Sequence, residues 1–518
     1  MATTVTAGPV DVPRARTGRR APTWASALTW AAPGAMIGVL VAIAVHRGLI
    51  DDAYITLGYV RNMATDLHWG LIPTETSNTA TSPLNIMLLT VATWLAAPFT
   101  GGVRPVVGLS LLTVVLCAAL TLWVAQVCRR IGVSPAWSVA VLVTVLANPF
   151  VNSAIGLEVL PTAALLAGLL AAAVSGRRMA FGLVGGALAL TRLDLVVIVA
   201  VVFLLTPAVR RRPWVAPAVA TVVALPWFVV SWAALGSAIP TSFVIKTLQK
   251  SFGAETFFNG PWTLWLTHGV LPFLLAVVPA GLGALTALAL AAAGVRRRLP
   301  AQLWPLVGLA LGGVAYYAAY SLLQVPPYQW YYVPTTTAMG IVGTLGLALA
   351  TRRARTRVRH LFPALVAVAL VVLTGFTLDG RSLPWPYPVY FGSWALPSEY
   401  RTVGAAVGQV IGDETVVAPP EIGTLAFACD CSMVDAFSDP GRTEPLVQQR
   451  IDQAGPVGRA LLRANFARLD RSEQPRPAQW QLVWTQGPVP AGVRSWPTNS
   501  PATGPATLYL ERLAGDGQ

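Results

Sequence analysis

The sequence predicts an all-α polytopic membrane domain of about eleven transmembrane helices, followed by a small α/β extracytoplasmic domain. Three observations carry this. The 518 residues are 55% hydrophobic and only 11% charged, whereas soluble chains carry about 25% charged residues. Mean hydropathy is +0.61, and apolar blocks of spanning length recur from 27 to 378. Beyond 379 the chain turns proline-rich and acidic and contains no spanning run.

The N-terminus, 1–26, reads as a basic cytoplasmic tail. The apolar run that follows, Ala27 to Val45, has no small-residue cleavage site before Asp51 and reads as a retained first helix. The net charge of +14 is gathered into clusters at Arg14–Arg20, Arg129–Arg130, Arg177–Arg178, Arg210–Arg212, Arg296–Arg298 and Arg352–Arg359. Each abuts an apolar block, as inner loops do under the positive-inside rule. That placement argues for a lipid bilayer as partner and against nucleic acid.

With the N-terminus inside, the first helix delivers Asp51 to the outer face and opens a first outer loop, 49–105. The apolar run Ser82–Pro98 within it decides the threading. If it crossed, the helix at Val106–Val127 would put Arg129–Arg130 outside and invert every later basic loop. Kept in the outer interface, it leaves all six clusters inside. The remaining spans are then 136–151, 160–175, 180–192, 194–208, 213–235, 262–294, 301–323, 333–350 and 361–378. The short pair 180–192 and 194–208 flanks Arg192 and Asp194 and marks a broken region, which survives at depth only beside protein or a water-filled cavity.

In the outer domain, 379–518, short strands are expected at Thr415–Ala418, Leu425–Ala428, Met433–Phe437, Gln481–Thr485 and Ala506–Glu511, and a helix at Glu399–Ile411. Trp385, Tyr387, Tyr390 and Trp394 are expected as an interfacial aromatic belt. Cys117 and Cys128 fall in or beside a span, and Cys429 and Cys431 are expected as free or structural thiols, since strand geometry opposes a bridge. The chain contains no Gly-rich phosphate loop ending in Gly-Lys-Ser/Thr.

The unusual polar residues sort to the outer face: Asp51-Asp52-Ala53-Tyr54, Arg61, Thr81-Ser82, Glu158, Arg192, Asp194, Thr241, Lys246 and Tyr331. An Asp held within a membrane costs about 2.5–3.5 kcal/mol, and adjacent carboxylates couple their titrations. A solvated loop or helix cap would account for Asp51 and Asp52. So would a general base with its supporting carboxylate, or a pair holding a divalent cation. Lys246 and Arg192 are complements for a phosphate leaving group, although an outer-loop Lys can be merely solvated and Arg192 with Asp194 a structural ion pair.

The order Asp-Asp-Ala-Tyr, Thr-Ser-Pro-Leu at 81–84, Gly-Leu-Glu at 156–158, Arg-x-Asp at 192–194, Pro240-Thr241 with Lys246, and the aromatic loop at Tyr328–Tyr332 resembles the GT-C class of glycosyltransferases. Within that class the chain looks most like the mycobacterial terminal arabinofuranosyltransferases and their actinobacterial relatives. The resemblance extends into the tail at Glu421-Ile422-Gly423, Val434-Asp435 and Ser438-Asp439-Pro440. It implies a GT-C-like fold, a polyprenyl-phosphate-linked sugar donor, a cell-envelope polysaccharide acceptor, and chemistry on the outer face of the plasma membrane. Asp51 and Asp52 then inherit the catalytic role, and Lys246 and Arg192 the donor phosphate. Tyr54, Arg61, Thr81, Ser82, Glu158, Asp194, Thr241 and Tyr331 are assigned beside them as substrate- or donor-binding residues. The chain departs from the family pattern at Thr79-Ala80, Asn85, Leu193 and Thr241-Ser242, which leaves sugar and acceptor open. Two other classes compete. A transporter of a lipid-linked or anionic solute would place its charges near the midplane with internal repeats; a non-catalytic scaffold would keep the fold alone.

Overall fold

The structure, a computed structural model, describes residues 24–354, 356–378 and 380–513. The Arg14–Arg20 cluster lies outside them. Helices α1 (Trp24–Val45), α2 (Asp51–Asp66), α3 (Pro83–Thr100), α4 (Pro105–Ile131), α5 (Trp137–Ala147), α6 (Pro149–Asn152), α7 (Val159–Val174), α8 (Arg178–Thr191) and α9 (Val196–Leu204) come first. Then follow α10 (Pro207–Arg210), α11 (Val215–Ala234), α12 (Thr241–Lys246), α13 (Gly260–His268), α14 (Val270–Val295), α15 (Trp304–Leu322), α16 (Val333–Ala350) and α17 (Thr356–Thr377). Among the described residues six helices are long and apolar enough to cross a membrane, and shorter apolar helices pack between them.

Glycine sets the closest helix crossings. Gly34 and Gly38 of α1 face Cys117–Thr121 and Thr113–Val114 of α4, so these two helices run antiparallel with backbones nearly touching. Gly182 and Gly186 of α8 meet Ala216–Val223 of α11, and Gly308 and Gly312 of α15 meet Val202 and Ile198 of α9. Each pair is spaced Gly-x-x-x-Gly, the motif that lets spanning helices associate without a hydrophobic drive. A Cβ at Gly34, Gly38, Gly182 or Gly186 would collide with the neighbouring helix, and one at Gly308 or Gly312 would press tightly on it.

These crossings also fix which ends lie together. Gly132, just past Arg129–Arg130, packs against Arg352, and Gly176, just before Arg177–Arg178, packs against Ala208 beside Arg210–Arg212. The loop after Arg296–Arg298 returns Trp304 onto Gly294. The basic clusters of the described residues therefore gather at one end of the bundle. Helix α3 begins and ends at the other: Asn85 near its start bonds the Gly156 carbonyl, which borders Ala53, and Gly108 early in α4 abuts Thr93 of α3. It returns to its own side although it is long enough to span.

One boundary among these spans differs from expectation and another meets it. The span expected over 262–294 is broken at Gly269, whose φ of 89° ends α13 before α14 begins. The 180–208 stretch breaks as expected, with α8 ending at Thr191 and a 3₁₀ turn at Leu193–Leu195 leading into α9.

The tail is an α/β domain of α18 (Pro397–Ile411), β1 (Thr415–Val417), α19 (Gly423–Cys429), β2 (Ser432–Val434), α20 (Pro440–Asp452), α21 (Pro456–Asn465), β3 (Trp480–Thr485), β4 (Arg494–Ser500) and β5 (Gly504–Arg512). Its sheet has the order β2-β1-β3-β5-β4; β2, β1 and β3 are parallel, and β5 pairs antiparallel with β3 and β4. The strand expected at Leu425–Ala428 is the helix α19 instead. That change also overturns the expected free thiols: Cys429 ends α19, Asp430 takes a left-handed conformation (φ 52°), and Cys431 folds back to form a disulfide across a Cα separation of 5.1 Å. Cys117 and Cys128 are buried and free.

Candidate active site

Asp51 and Asp52 open α2, where the partial positive charge of a helix start favours carboxylates. They point to different surroundings. Asp51 is buried, and its two oxygens accept the backbone N–H groups of Gly423 (2.8 Å) and Thr424 (2.7 Å) at the start of α19. Its own N–H donates to Ser393 Oγ at 3.2 Å. Gly423 is required here because a Cβ would run into the Asp51 carbonyl. Burial pushes the Asp51 carboxyl up to about 6, against the pull of the Thr424 N–H and with a further push from Asp52. Asp51 thus ties the tail to α2.

Asp52 keeps a side chain 32% exposed and sits 3.8 Å from Lys246 Nζ. Lys246 ends the short helix α12, with its ammonium 4.6 Å from the Tyr328 ring centre and 5.4 Å from that of Trp330. Both residues line a cavity of about 990 Å³ at the end of the bundle away from the basic clusters. Asp51, Thr81, Ser82, Glu158 and Tyr331 border the same space.

Arg192 is buried and its charge is met within the fold, the arrangement of the structural ion pair that the sequence also allowed. Its guanidinium is 6% exposed and saturated by Glu158 (2.8 Å), Asp194 (2.6 Å) and the hydroxyl of Tyr320 (2.8 Å), and it lies 4.6 Å from the Tyr331 ring centre. Tyr316 and Tyr320 also donate to Asp194. With Thr81 and Tyr331 as shared walls, Arg192 and Asp194 border a small neighbouring pocket of about 30 Å³.

Three further expected contacts turn away from the cavity. Arg61 donates to the Phe427 carbonyl at 2.9 Å and pairs with Asp430 at 3.3 Å, gripping the far end of α19. Tyr54 packs on Phe427 and accepts from Arg401 at 3.3 Å. Thr241 is buried, with its N–H and hydroxyl both on the Asn78 carbonyl. All three are explained by holding the first loop, α12 and the tail together.

The tail supplies cavity walls that the sequence reading left unassigned. Glu421 accepts the Trp394 N–H (2.8 Å) and the Tyr400 hydroxyl (2.6 Å). Burial, with Asp51 adding repulsion, raises its carboxyl to about 8. Tyr387, Tyr390 and Trp394, expected as an interfacial belt, line the cavity instead, together with Arg381 and His268. Glu421 carried a sequence signal as part of the tail motifs, as did Asp435 and Ser438, which line the same cavity; the segment 381–394 and His268 are brought there by the fold. For a divalent cation the fit is poor, because both Asp51 oxygens are committed to backbone N–H groups, and the described residues form no group of three His, Cys, Asp or Glu able to hold one.

No family model and no curated protein matches the chain. Among solved structures, the crystal structure of ArnT from Cupriavidus metallidurans in the apo state aligns over 93% of this chain and 98% of its own, with a TM-score of 0.52 and 14% identity. At that identity the likeness is one of fold: an all-α membrane domain of GT-C-like architecture carrying a small α/β domain at one end.

Proposed function

We propose that the chain is a membrane glycosyltransferase that moves a sugar from a polyprenyl-phosphate carrier to a cell-envelope glycan, with the basic end of the bundle in the cytoplasm and the cavity on the outer face. The observation that carries this reading is the pairing of an accessible carboxylate, Asp52, with a single amine, Lys246, inside a cavity roofed by the tail. The GT-C-like fold and the resemblance of the loop motifs support it, and the resemblance favours arabinofuranose as the sugar.

In this reading the acceptor hydroxyl attacks the anomeric carbon of the donor as the bond from that carbon to the phosphate oxygen breaks. Asp52 takes the hydroxyl proton, and the electron pair leaves with the polyprenyl phosphate. Lys246, held over Tyr328 and Trp330, offsets the charge that develops there. Asp51 acts through position: by fixing α2 against α19 it aims Asp52. The pair therefore divides into one base and one anchor.

The test is transfer from polyprenyl-phosphate-linked pentose, then hexose, to a cell-wall glycan, using purified protein. Asp52→Asn is expected to lose roughly a hundred- to ten-thousandfold in rate with folding retained. Lys246→Met is expected to fall strongly, with partial rescue in Lys246→Arg. Transfer unaffected by Asp52→Asn refutes the mechanism. Absence of turnover with every donor, combined with vesicle uptake or lipid scrambling, refutes the transferase reading in favour of transport.

A further inference from the structure

The tail helix α21 presents three distinct faces. Its inner face carries Asn465 and Leu462, and Leu462, with Phe466 just beyond the helix, packs into a small apolar cluster with Val244, Val447 and Ile451. A second face carries Arg459 and Arg463, both exposed and one helical turn apart. The third is apolar yet exposed: Val457 at 75% and Leu461 at 67%, again one turn apart, with Ala460 and Ala464 beside them. Nothing among the described residues covers it.

The position of α21 says what does. Asn465 clamps the helix to the loop after α11, accepting from the Ile239 N–H at 2.8 Å and donating to the Ile239 carbonyl at 3.3 Å. Gly236 of that loop packs on Leu469. Near the end of α11, Trp232 donates its indole N–H to the Ala464 carbonyl at 3.0 Å, and Arg468 lies 5.2 Å from the same ring. Helix α11 is the least buried of the six candidate spans and leaves Val222, Leu225, Val229 and Val230 exposed, which is the surface a spanning helix offers to lipid. The exposed face of α21 is attached where that surface ends. A Trp at such a junction belongs to the interfacial zone of a bilayer.

We propose that α21 is a membrane-surface helix, lying in the headgroup region with Val457 and Leu461 toward the acyl chains and Arg459, Arg463 and Arg468 on anionic lipid phosphates. It holds the tail against the leaflet on the cavity's side. The apolar face supplies burial, and the arginines give selectivity for anionic lipid. The occupant is the bilayer because the apolar stripe adjoins the lipid-facing side of α11 at Trp232 and the charges on α21 itself are of one sign. This inference uses the bundle's orientation only as to which end carries the cavity, and it stands or falls apart from the transfer chemistry.

The test uses the full chain in proteoliposomes of phosphatidylcholine, with or without phosphatidylglycerol. An environment-sensitive fluorophore is attached at Leu461→Cys, and in a parallel sample at Ala491→Cys, an exposed tail position remote in sequence. The native cysteines are buried or bridged and stay silent. The expected result is several-fold stronger quenching of position 461 than of 491 by doxyl-labelled lipid, with the reverse order for aqueous iodide. Each arginine near an anionic surface is worth roughly fivefold in partition, so Arg459→Glu with Arg463→Glu is expected to weaken lipid quenching at 461 in phosphatidylglycerol vesicles. Equal quenching of the two positions overturns the proposal. Protection of 461 from both quenchers also overturns it, since a protein partner or a second copy would then cover the face.

Discussion

At the scale of single residues, the decisive feature is how a scarce set of charges is partnered. Arg192 is buried against two carboxylates and two phenols, so its charge is partnered inside the fold. Removing one member of such a buried cluster strands the rest, at about 3–5 kcal/mol. Arg192→Met is therefore expected to lower thermal stability in detergent by that order, measured by the melting of the purified protein. A phosphate-binding arginine would instead raise the donor KM with little change in melting. Glu421 offers a second residue-level test through pH. An acid whose folded value is raised holds its proton more tightly in the folded state, so stability falls as pH rises from its ordinary value of 4.5 toward about 8. The steepest loss one proton allows is about 1.4 kcal/mol per pH unit. Glu421→Gln should flatten this decline and leave the protein more stable at pH 8, as read by melting temperature across pH 5 to 8.

At the scale of elements, the junction of α2 with α19 is the hinge of the design. Asp51 caps the start of α19 through two backbone N–H groups, and Arg61 grips its end through the Phe427 carbonyl and Asp430, which the adjoining disulfide holds in a left-handed turn. One helix of the membrane domain and one of the tail are thereby fixed at both ends. Since Asp52 sits between these grips, the junction sets the aim of the carboxylate facing Lys246. Arg61→Ala is expected to increase protease cleavage of the linker at 380–396 while leaving the donor KM unchanged. A raised KM with an unchanged cleavage pattern would return Arg61 to the substrate-binding role that the sequence suggested. The Gly-x-x-x-Gly crossings belong to this scale too: Gly312→Leu drives a side chain into Ile198 of α9 and should abolish folded protein, seen as loss of a monodisperse peak in size-exclusion chromatography.

At the scale of the whole molecule, charge and geometry agree. The basic clusters of the described residues share one end of the bundle, and Asp51, Asp52, Lys246 and the tail share the other. The detour of α3 makes this possible by adding apolar length without changing sides. In intact cells, Gln249→Cys and Ala491→Cys are expected to react with an impermeant maleimide, whereas Arg297→Cys should react only after permeabilisation. Labelling of Arg297→Cys in sealed cells would reverse the proposed sidedness and remove an outer-face donor from consideration.

The sequence by itself determined the membrane class, the change of composition near 379, the break at Arg192–Asp194 and the side of the bundle on which the polar residues gather. These rest on hydropathy, charge placement and chain order, all local or additive properties that need no knowledge of contacts. It also singled out Asp51, Asp52 and Lys246 as outer-face charges in an apolar chain, while the pairing of Asp52 with Lys246 came from the fold. Only the tertiary structure decided that Asp51 bonds the start of α19, that Arg192 and Arg61 have partners within the fold, that Glu421 and three tail aromatics wall the cavity, and that Cys429 and Cys431 are bridged. Each of those outcomes depends on a neighbour brought in from tens to hundreds of residues away, or on one backbone angle at Asp430. A residue type states what a side chain is able to bind, and the fold states whether something has bound it first.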